Sequence, residues 1–223
     1  GREKMASNIL NDLEEKVIDI VNSNVEPYEG NGYLYVKRAL DIVFSLVLLI
    51  IAIPFILIFA IAIRIETPGN PFYSQERVGT MGKPIKITKL RSMYSGIEKK
   101  SGAMWAQKND ARITKVGKFI RKTRIDELPQ LLSVLKGDMS LIGPRPERPN
   151  FVIQFSEDVP GFEQRLRVKP GLSGWAQVNG GYEDSPAGKL KNDLYYINHL
   201  SFKTDFIVFL KTIGVVFTGE GAR

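Results

Sequence analysis

The sequence of 223 residues predicts an α+β, mainly α, protein that is attached to a membrane. Residues 42–63 form a run of 22 residues without a charge. At about 1.5 Å per residue, that run is long enough to cross a hydrocarbon core of roughly 30 Å. Apolar residues recur at helical spacing in several other segments, and residues 72–93 alternate like two short strands around a glycine-rich turn.

The composition excludes several chemistries. The chain has no cysteine and a single histidine, His199. A disulfide framework, a thiolate nucleophile and a cysteine- or imidazole-based metal cluster are therefore ruled out. Any bound metal must have oxygen ligands, which favours magnesium or manganese.

The positive charge is concentrated in the middle third of the chain. Residues 64–150 carry 18 basic and 8 acidic side chains, whereas the formal net charge of the whole chain is +7. Such a field attracts polyanions, which include nucleic acid, anionic lipid headgroups and diphosphate substrates.

The first 32 residues predict an amphipathic N-terminal extension. Apolar residues recur at helical spacing over residues 8–21, with acidic side chains opposite them. The segment EPYEGNG at 26–32 is typical of a turn-rich linker. We expect the membrane helix to occupy residues 33–66 and a catalytic domain to occupy residues 67–223.

Pro54 lies near the middle of the apolar run and should bend the helix there. Each half would be about 14–18 Å long, enough to reach the bilayer midplane and return. Lys37 and Arg38 flank one end and Arg64 the other, so they are expected at the membrane interface. The charges do not distinguish a kinked span from a re-entrant hairpin, because both are compatible with cations at each end.

Two segments of the middle third are basic. Lys89 and Arg91 lie on the second arm of the predicted hairpin and are either a solvated face or one wall of an anion site. Residues 110–122 place apolar and basic side chains on different faces of a helix, a pattern that suits an anionic membrane surface as well as a simple solvated face.

The strongest candidates for chemistry are the adjacent carboxylates Asp126 and Glu127. Because a proline is tolerated in a first helical turn, Pro129 predicts a helix that begins near Asp126. The helix dipole should keep both carboxylates ionised, so they can act as a nucleophile or bind a divalent cation. Ordinary N-capping explains the same residues without function.

Neighbouring segments favour the functional interpretation. Arg121 and Arg124 lie just upstream, and Arg145 is held between two prolines, where a guanidinium can bind phosphate oxygens with two hydrogen bonds. Residues 169–181 supply glycines for close backbone approach, together with Trp175 and Gln177. The set suits phosphoryl transfer with Mg²⁺, whereas the absence of GxxxxGK[ST] gives no support to a P-loop NTPase.

Several motifs occur along the chain in a fixed order: KRALDI at 37–42, FYSQERVG at 72–79, KLRSM at 89–93, DARITKVG through LIGPRP at 110–146, KPGLSGWAQVNG at 169–180 and DLYYINHLS at 193–201. Together they resemble the monotopic phosphoglycosyl transferases, the bacterial sugar transferases that begin exopolysaccharide, capsule and glycan assembly. The family usually has Ser-Pro at the helix break, whereas this chain has Ile53-Pro54.

The resemblance implies a monotopic fold on the cytoplasmic face of the bacterial inner membrane. Its re-entrant helix breaks at Pro54 and its cytosolic catalytic domain lies on the membrane surface. It also implies that Asp126 attacks a UDP-sugar, that UMP leaves, and that polyprenol phosphate resolves a phosphosugar-aspartyl intermediate. Glu127 and Asp126 would hold Mg²⁺. The predicted substrate-binding residues are Lys89, Arg91, Arg121, Arg145, Trp175 and Gln177.

Two other functions remain as alternatives. One is a non-catalytic, membrane-anchored protein that binds anionic lipid or nucleic acid, and the other is a glycosyltransferase that releases UDP. The expected partners are a UDP-sugar, polyprenol phosphate and membrane lipids, without nucleic acid. The sequence leaves the identity of the sugar and the formation of a homodimer open.

Overall fold

The computed structural model describes residues 1–30, 32–97, 102, 104–107, 109–180 and 185–219, so the last four residues of the predicted catalytic domain lie outside it. The chain is mainly helical. It opens with α1 (Arg2–Asn24) and α2 (Tyr33–Glu66). Within the described ranges, α2 alone is long and apolar enough to cross a membrane.

Short strands and helices follow α2. The strands are β1 (Phe72–Val78), β2 (Pro84–Leu90), β3 (Ser140–Ile142) and β4 (Gly171–Ser173). The helices are α3 (Lys115–Lys122), α4 (Leu131–Lys136), α5 (Pro149–Asp158), α6 (Trp175–Asn179), α7 (Pro186–Asn198) and α8 (Phe202–Thr218). Short 3₁₀ helices cover Thr80–Gly82, Ile125–Gln130 and Phe162–Arg167.

The strands form two small sheets. β1 and β2 pair antiparallel, with Phe72 opposite Leu90 and Val78 opposite Pro84, which confirms the predicted hairpin. β3 and β4 pair parallel, with Ser140 beside Gly171. Gly143 and Gly171 are packed so closely that a Cβ on Gly171 would lie 1.9 Å from the Gly143 nitrogen, so glycine is required there.

The N-terminal helix α1 is longer than the sequence pattern predicted and packs on the rest of the chain. Val17 and Val21 are almost fully buried in a cluster with Val78, Val152 and Leu166. Only the C-terminal half of the helix is covered in this way. Its first 11 residues, 2–12, are exposed.

The N-terminal end of α2 is tied to the domain by polar side chains. Lys37 Nζ lies 2.6 Å from Asp205 Oδ2 and donates to the Tyr196 hydroxyl at 3.1 Å, and the Tyr33 hydroxyl donates to the same carboxylate. Arg38 donates to the carbonyls at the end of α4, Val134 O at 2.7 Å and Leu135 O at 2.8 Å.

Lys37 and Arg38, which the sequence predicts at the membrane interface, both have partners within the protein. Lys37 is buried in its ion pair with Asp205, and the Arg38 guanidinium caps α4. One turn further along α2, Asp41 accepts hydrogen bonds from the Ser140 hydroxyl and the Leu141 nitrogen, which fixes the start of β3.

The C-terminal end of α2 returns to the same domain. Ala60 and Ile63 form a buried cluster with Leu90 of β2 and Ile120 of α3. The Glu66 carboxylate accepts from the Lys115 and Val116 nitrogens at 3.1 and 3.0 Å, so it satisfies backbone donors at the first turn of α3. Pro54 lies inside α2, between these two anchored ends.

We predict that Lys37→Met destabilises the fold by about 3–5 kcal/mol, because it leaves the buried Asp205 carboxylate without its cation. The double variant Lys37→Met/Asp205→Leu should recover much of this loss, since no buried charge remains. Denaturation of the purified protein in one detergent measures both effects.

The matched control is Lys16→Met, which removes an exposed ion pair with Asp12 and should change stability by less than about 1 kcal/mol. An equal effect of Lys37→Met and Lys16→Met would contradict the structural role of the Lys37–Asp205 pair.

Candidate active site

Strand β2 places Lys89 beside Glu127, because alternate side chains along a strand point to the same face. Ile85 and Ile87 are buried against Val134 and Met139. Lys89 continues this inward row by one further step, where its ammonium lies 3.6 Å from Glu127 Oε1. The core packing of the strand therefore determines where this cation is placed.

The two carboxylates sit on the 3₁₀ helix Ile125–Gln130 rather than at the start of an α-helix. Asp126 and Glu127 are only 6% and 7% exposed. Pro129 falls inside this short helix, and the regular α4 begins only at Leu131. The predicted helix start near Asp126 is thus confirmed in position, and the first turns of the helix are of the tighter 3₁₀ type.

Glu127 is surrounded by cations. Arg145 Nη1 donates to Oε1 at 2.8 Å, while Arg124 Nη2 lies 3.5 Å from Oε2. With Lys89, three positive side chains from three separate segments share one carboxylate. Asp126 differs, since no hydrogen bond or ion pair to its carboxylate is found within the described ranges.

The loop that carries Arg145 is held by its backbone. The carbonyls of Pro144 and Glu147 accept from Gly171 N and Val78 N, both at 2.8 Å. The Arg145 carbonyl accepts from the Arg165 side chain, and the Pro146 carbonyl accepts from the Arg77 side chain. Four consecutive carbonyls are thus bonded, so the Arg145 side chain starts from a fixed position.

Arg165 is itself fixed by a buried ion pair. Its Nε lies 2.9 Å from Asp193 Oδ2, and both side chains are almost fully buried. A second buried pair joins Lys189 and Glu147 at 3.0 Å, one residue beyond the Pro-Arg-Pro segment. These pairs connect α7 to the loop that carries Arg145.

Burial and neighbouring charges shift the pKa values of the two carboxylates in opposite directions. Burial, reinforced by the neighbouring Glu127 charge, raises the pKa of Asp126 to about 6, although Lys89, Arg121 and Arg145 oppose the rise. Burial acts in the same direction on Glu127, but Arg145, Arg124 and Lys89 outweigh it and hold its pKa well below the usual range. With a pKa of about 6, Asp126 is still mostly ionised at pH 7, but it takes up a proton far more readily than Glu127.

The cations also influence one another. Burial and the neighbouring Arg145 lower the pKa of Lys89 to about 7, in spite of the two carboxylates. With Lys89 protonated, the group formed by Lys89, Arg121, Arg124, Arg145, Asp126 and Glu127 carries an excess of two positive charges. A bound diphosphate would balance that excess.

The carboxylate pair fits a magnesium ion in its donor chemistry. Mg²⁺ is commonly bound through one or two carboxylates together with substrate phosphates and water. Asp126 offers a carboxylate without a protein partner, and Glu127 lies beside it. Within the described residues, no group of three or more acidic or imidazole side chains could hold a metal, so further ligands would come from substrate and water.

Lys89, Arg145, Arg121 and Gln177 are brought to the pair. Arg121 is close enough to lower the Asp126 pKa, and its Nη1 donates to the Ser92 hydroxyl at 3.0 Å. Gln177 is connected through Arg124, whose Nη2 donates to Gln177 Oε1 at 2.6 Å.

Arg91 and Trp175 are placed elsewhere. The Arg91 guanidinium is buried, donates to Thr67, Pro68 and Asn70, and so fixes the chain just after α2. Its predicted contact with substrate is corrected, because these groups occupy its hydrogen-bond donors. Trp175 stacks on Tyr195 at 4.7 Å and belongs to the packing of α6 on α7.

Arg124, Arg77 and Arg165 are the residues that the predicted site omitted. Arg124 was visible two positions before Asp126, but its contact with Gln177 joins segments 53 residues apart. Arg77 and Arg165 act on backbone carbonyls, a role that no local motif indicates.

The structure thus combines a long apolar helix with a cluster of basic side chains around a buried carboxylate pair. The chain belongs to the bacterial sugar transferase family, whose profile matches residues 32–219. This confirms the resemblance drawn from the motifs.

Curated relatives agree with this membership. A Bacillus subtilis (strain 168) protein named putative undecaprenyl-phosphate N-acetylgalactosaminyl 1-phosphate transferase is 62% identical over 134 residues, which cover 60% of this chain and 74% of the relative. The UDP-N-acetylgalactosamine-undecaprenyl-phosphate N-acetylgalactosaminephosphotransferase of Aeromonas hydrophila is 46% identical over 194 residues, or 86% of this chain and 46% of the relative.

The UDP-glucose:undecaprenyl-phosphate glucose-1-phosphate transferase of Escherichia coli (strain K12) is 36% identical over 222 residues, or 96% of this chain and 47% of the relative. The chain thus spans about half the length of the Aeromonas and Escherichia relatives.

We predict that Asp126→Asn stabilises the metal-free protein by about 1–3 kcal/mol at pH 7. The folded-state pKa of about 6 exceeds the unfolded value of about 4. Below about pH 4 Asp126 is protonated in both states and does not lower the stability. As the pH rises through 6 the buried group loses its proton, and the ionised carboxylate then destabilises the fold. Asparagine carries no charge to bury. Denaturation at pH 4 and pH 7 should show the gain shrinking at the lower pH, and a less stable variant at pH 7 would contradict the assignment.

Proposed function

We propose that the chain transfers a sugar-1-phosphate from a UDP-sugar to polyprenol (undecaprenyl) phosphate and releases UMP. This would be the first membrane step of exopolysaccharide, capsule or glycan synthesis. The observation that carries the proposal is the unpartnered, buried Asp126 carboxylate beside a Glu127 held by three cations. The relatives' names, which include undecaprenyl phosphate, support this acceptor class.

In the first step, an Asp126 oxygen attacks the phosphorus that bears the sugar. The bond from that phosphorus to the bridging oxygen of the diphosphate breaks, UMP leaves with the electron pair, and a phosphosugar-aspartyl ester remains. Arg145 and Lys89 lie where they can balance the charge of the diphosphate. The raised Asp126 pKa means that the attacking carboxylate is ionised above about pH 6.

In the second step, a phosphate oxygen of the polyprenol phosphate attacks the same phosphorus. The bond to Asp126 breaks, the carboxylate is regenerated, and the product is polyprenyl-diphospho-sugar. Covalent catalysis thus divides the transfer into two displacements at one site.

Asp126 and Glu127 would hold Mg²⁺ together with the substrate phosphates. When bound, the ion would neutralise negative charge that develops on the phosphate oxygens. The residues of the chain would orient the donor. Arg145 is fixed by its loop, and its planar fork can bind two phosphate oxygens at once.

The contacts of α2 support a re-entrant helix whose ends both lie on one side of the membrane, which we propose to be the cytoplasmic face of the inner membrane. A straight helix of 34 residues would be about 51 Å long and would carry its ends to opposite sides of a hydrocarbon layer of roughly 30 Å. Both ends instead contact one domain, through Arg38 at one end and Glu66 at the other. Pro54 lies between them, where a bend would be placed.

Exposed apolar side chains support a domain that lies on the membrane surface. Between the two anchored ends, most large apolar residues of α2 are exposed. One side of α8 is apolar and exposed in the same way, and its residues are Phe202, Phe206, Phe209, Leu210, Ile213 and Phe217. A soluble protein rarely leaves patches of this size uncovered.

We predict that the wild-type protein releases UMP from a matching UDP-sugar in the presence of polyprenol phosphate and Mg²⁺, whereas folded Asp126→Asn does not. An amide lacks the charge needed to attack phosphorus. Chromatography of the nucleotides over a panel of UDP-sugars measures the product.

The nucleotide product also separates the alternatives. Release of UDP would indicate a transferase that moves the sugar alone, and no release with any donor would favour a non-catalytic protein that binds anionic lipid. Substantial UMP release by a folded Asp126→Asn protein would reject Asp126 as the nucleophile.

We predict that cysteines introduced at Glu29 and Asn70 are both labelled only from the cytoplasmic side. Both positions are exposed and flank α2, and the chain has no cysteine of its own. A membrane-impermeant maleimide on intact cells and on inverted vesicles measures this. Ile53→Cys, next to the proline, is the control and should be protected in both preparations. Labelling of Glu29→Cys in intact cells would overturn the re-entrant topology.

A further inference from the structure

Arg124 has an unusual backbone for an arginine. Its φ is 61° and its ψ is 16°, in the left-handed region that residues with a Cβ rarely occupy. It stands immediately before the 3₁₀ helix that carries Asp126 and Glu127. Strained residues of this kind persist where surrounding contacts hold them, and they are concentrated at functional sites.

One nitrogen of the Arg124 guanidinium lies between two acceptors. Nη2 is 2.6 Å from Gln177 Oε1 and 3.5 Å from Glu127 Oε2. The Arg124 side chain is only 18% exposed. Arg145 takes the other oxygen of the same carboxylate, so the two guanidinium groups hold Glu127 through different atoms.

The Gln177 amide turns its oxygen toward Arg124, which leaves its nitrogen without a hydrogen-bond partner among the described residues. That nitrogen, Nε2, is buried. Turning the amide end for end would place its NH₂ group against the guanidinium, where two donors face each other. The oxygen therefore faces Arg124, and the nitrogen is left unpaired.

Glutamine suits this position because it accepts a hydrogen bond without adding a charge. A carboxylate at residue 177 would compete with Glu127 for the positive charge of Arg124. A neutral acceptor directs Arg124 and leaves its charge available to Glu127.

We propose that Gln177 is a positioning residue for the transfer reaction: it holds Arg124, and Arg124 in turn holds the Glu127 carboxylate beside Asp126. The inference rests on the proposed function. It replaces the sequence-based hypothesis that Gln177 contacts the substrate, since its oxygen is occupied by Arg124. It also gives a reason for the left-handed backbone of Arg124, which places that side chain between α6 and the 3₁₀ helix.

The test compares Gln177→Met, Arg124→Met and the double variant. Methionine has nearly the size of glutamine but lacks its acceptor. Each protein is assayed with a UDP-sugar that the wild type uses, and active sites are counted from the burst of UMP formed without acceptor. The exposed Gln154→Met on α5 is the matched control.

We expect Gln177→Met to lower kcat per active site by about tenfold and to change KM for the UDP-sugar by less than about threefold, because the loss falls on the group beside the nucleophile. The double variant should be no slower than Arg124→Met, since Gln177 acts through Arg124. Gln177→Asn, which keeps the amide but is too short to reach Arg124, should behave like Gln177→Met and serves as the second variant if the latter does not fold.

Three outcomes would overturn the inference. One is a rise in KM with kcat unchanged, which indicates direct contact with the substrate. The others are a double variant whose loss is the product of the two single losses, and a Gln177→Met protein as fast as Gln154→Met. Absence of UMP release by the wild type would reject the proposed function and this inference together, whereas wild-type release with an unaffected Gln177→Met rejects this inference alone.

Discussion

The Glu127 carboxylate and its three cations are the contact on which the rest of the site depends. Lys89 comes from β2, Arg124 from the turn before the 3₁₀ helix, and Arg145 from the loop after β3. Without this carboxylate, the three buried cations would repel one another. The shared carboxylate makes their assembly possible, because a buried charge is tolerated only when it is paired and hydrogen-bonded.

The same contact explains why the two neighbouring carboxylates differ. Glu127 is paired with cations and stays ionised. Asp126 is buried without a hydrogen-bond or ion-pair partner, and its pKa is raised. Two titratable groups whose environments move their pKa values apart are typical of sites that assign them different tasks. Glu127 is paired with three cations, and the carboxylate oxygens of Asp126 have no hydrogen-bond or ion-pair partner among the described residues.

The sequence predicted the local parts of this structure well. The β1–β2 hairpin follows from alternation around a glycine-rich turn, and the short helix that carries Asp126 and Glu127 follows from Pro129. Local patterns could not assign Arg91, because its acceptors are backbone carbonyls of another segment. Arg124 and Gln177 were both visible, but only the fold reveals that they touch.

The charge pattern could not identify the partners of the two cations that precede the apolar run. Lys37 and Arg38 precede an apolar run, a position typical of headgroup contacts, yet the fold directs both of them inward. The sequence contains the matching acceptors, Asp205 and the end of α4, but more than 90 residues away. A long-range contact of this kind has no signature in a local window.

The anchoring of α2 at both ends has a consequence for how the protein can be handled. Removing residues 1–66 to obtain a soluble fragment would strip Ala60 and Ile63 from a buried cluster and leave Asp205 without its lysine. The first turn of α3 would also lose the Glu66 carboxylate. Both ends of the apolar helix are thus part of the folded domain, so the helix cannot be removed as a detachable tether without loss of stability.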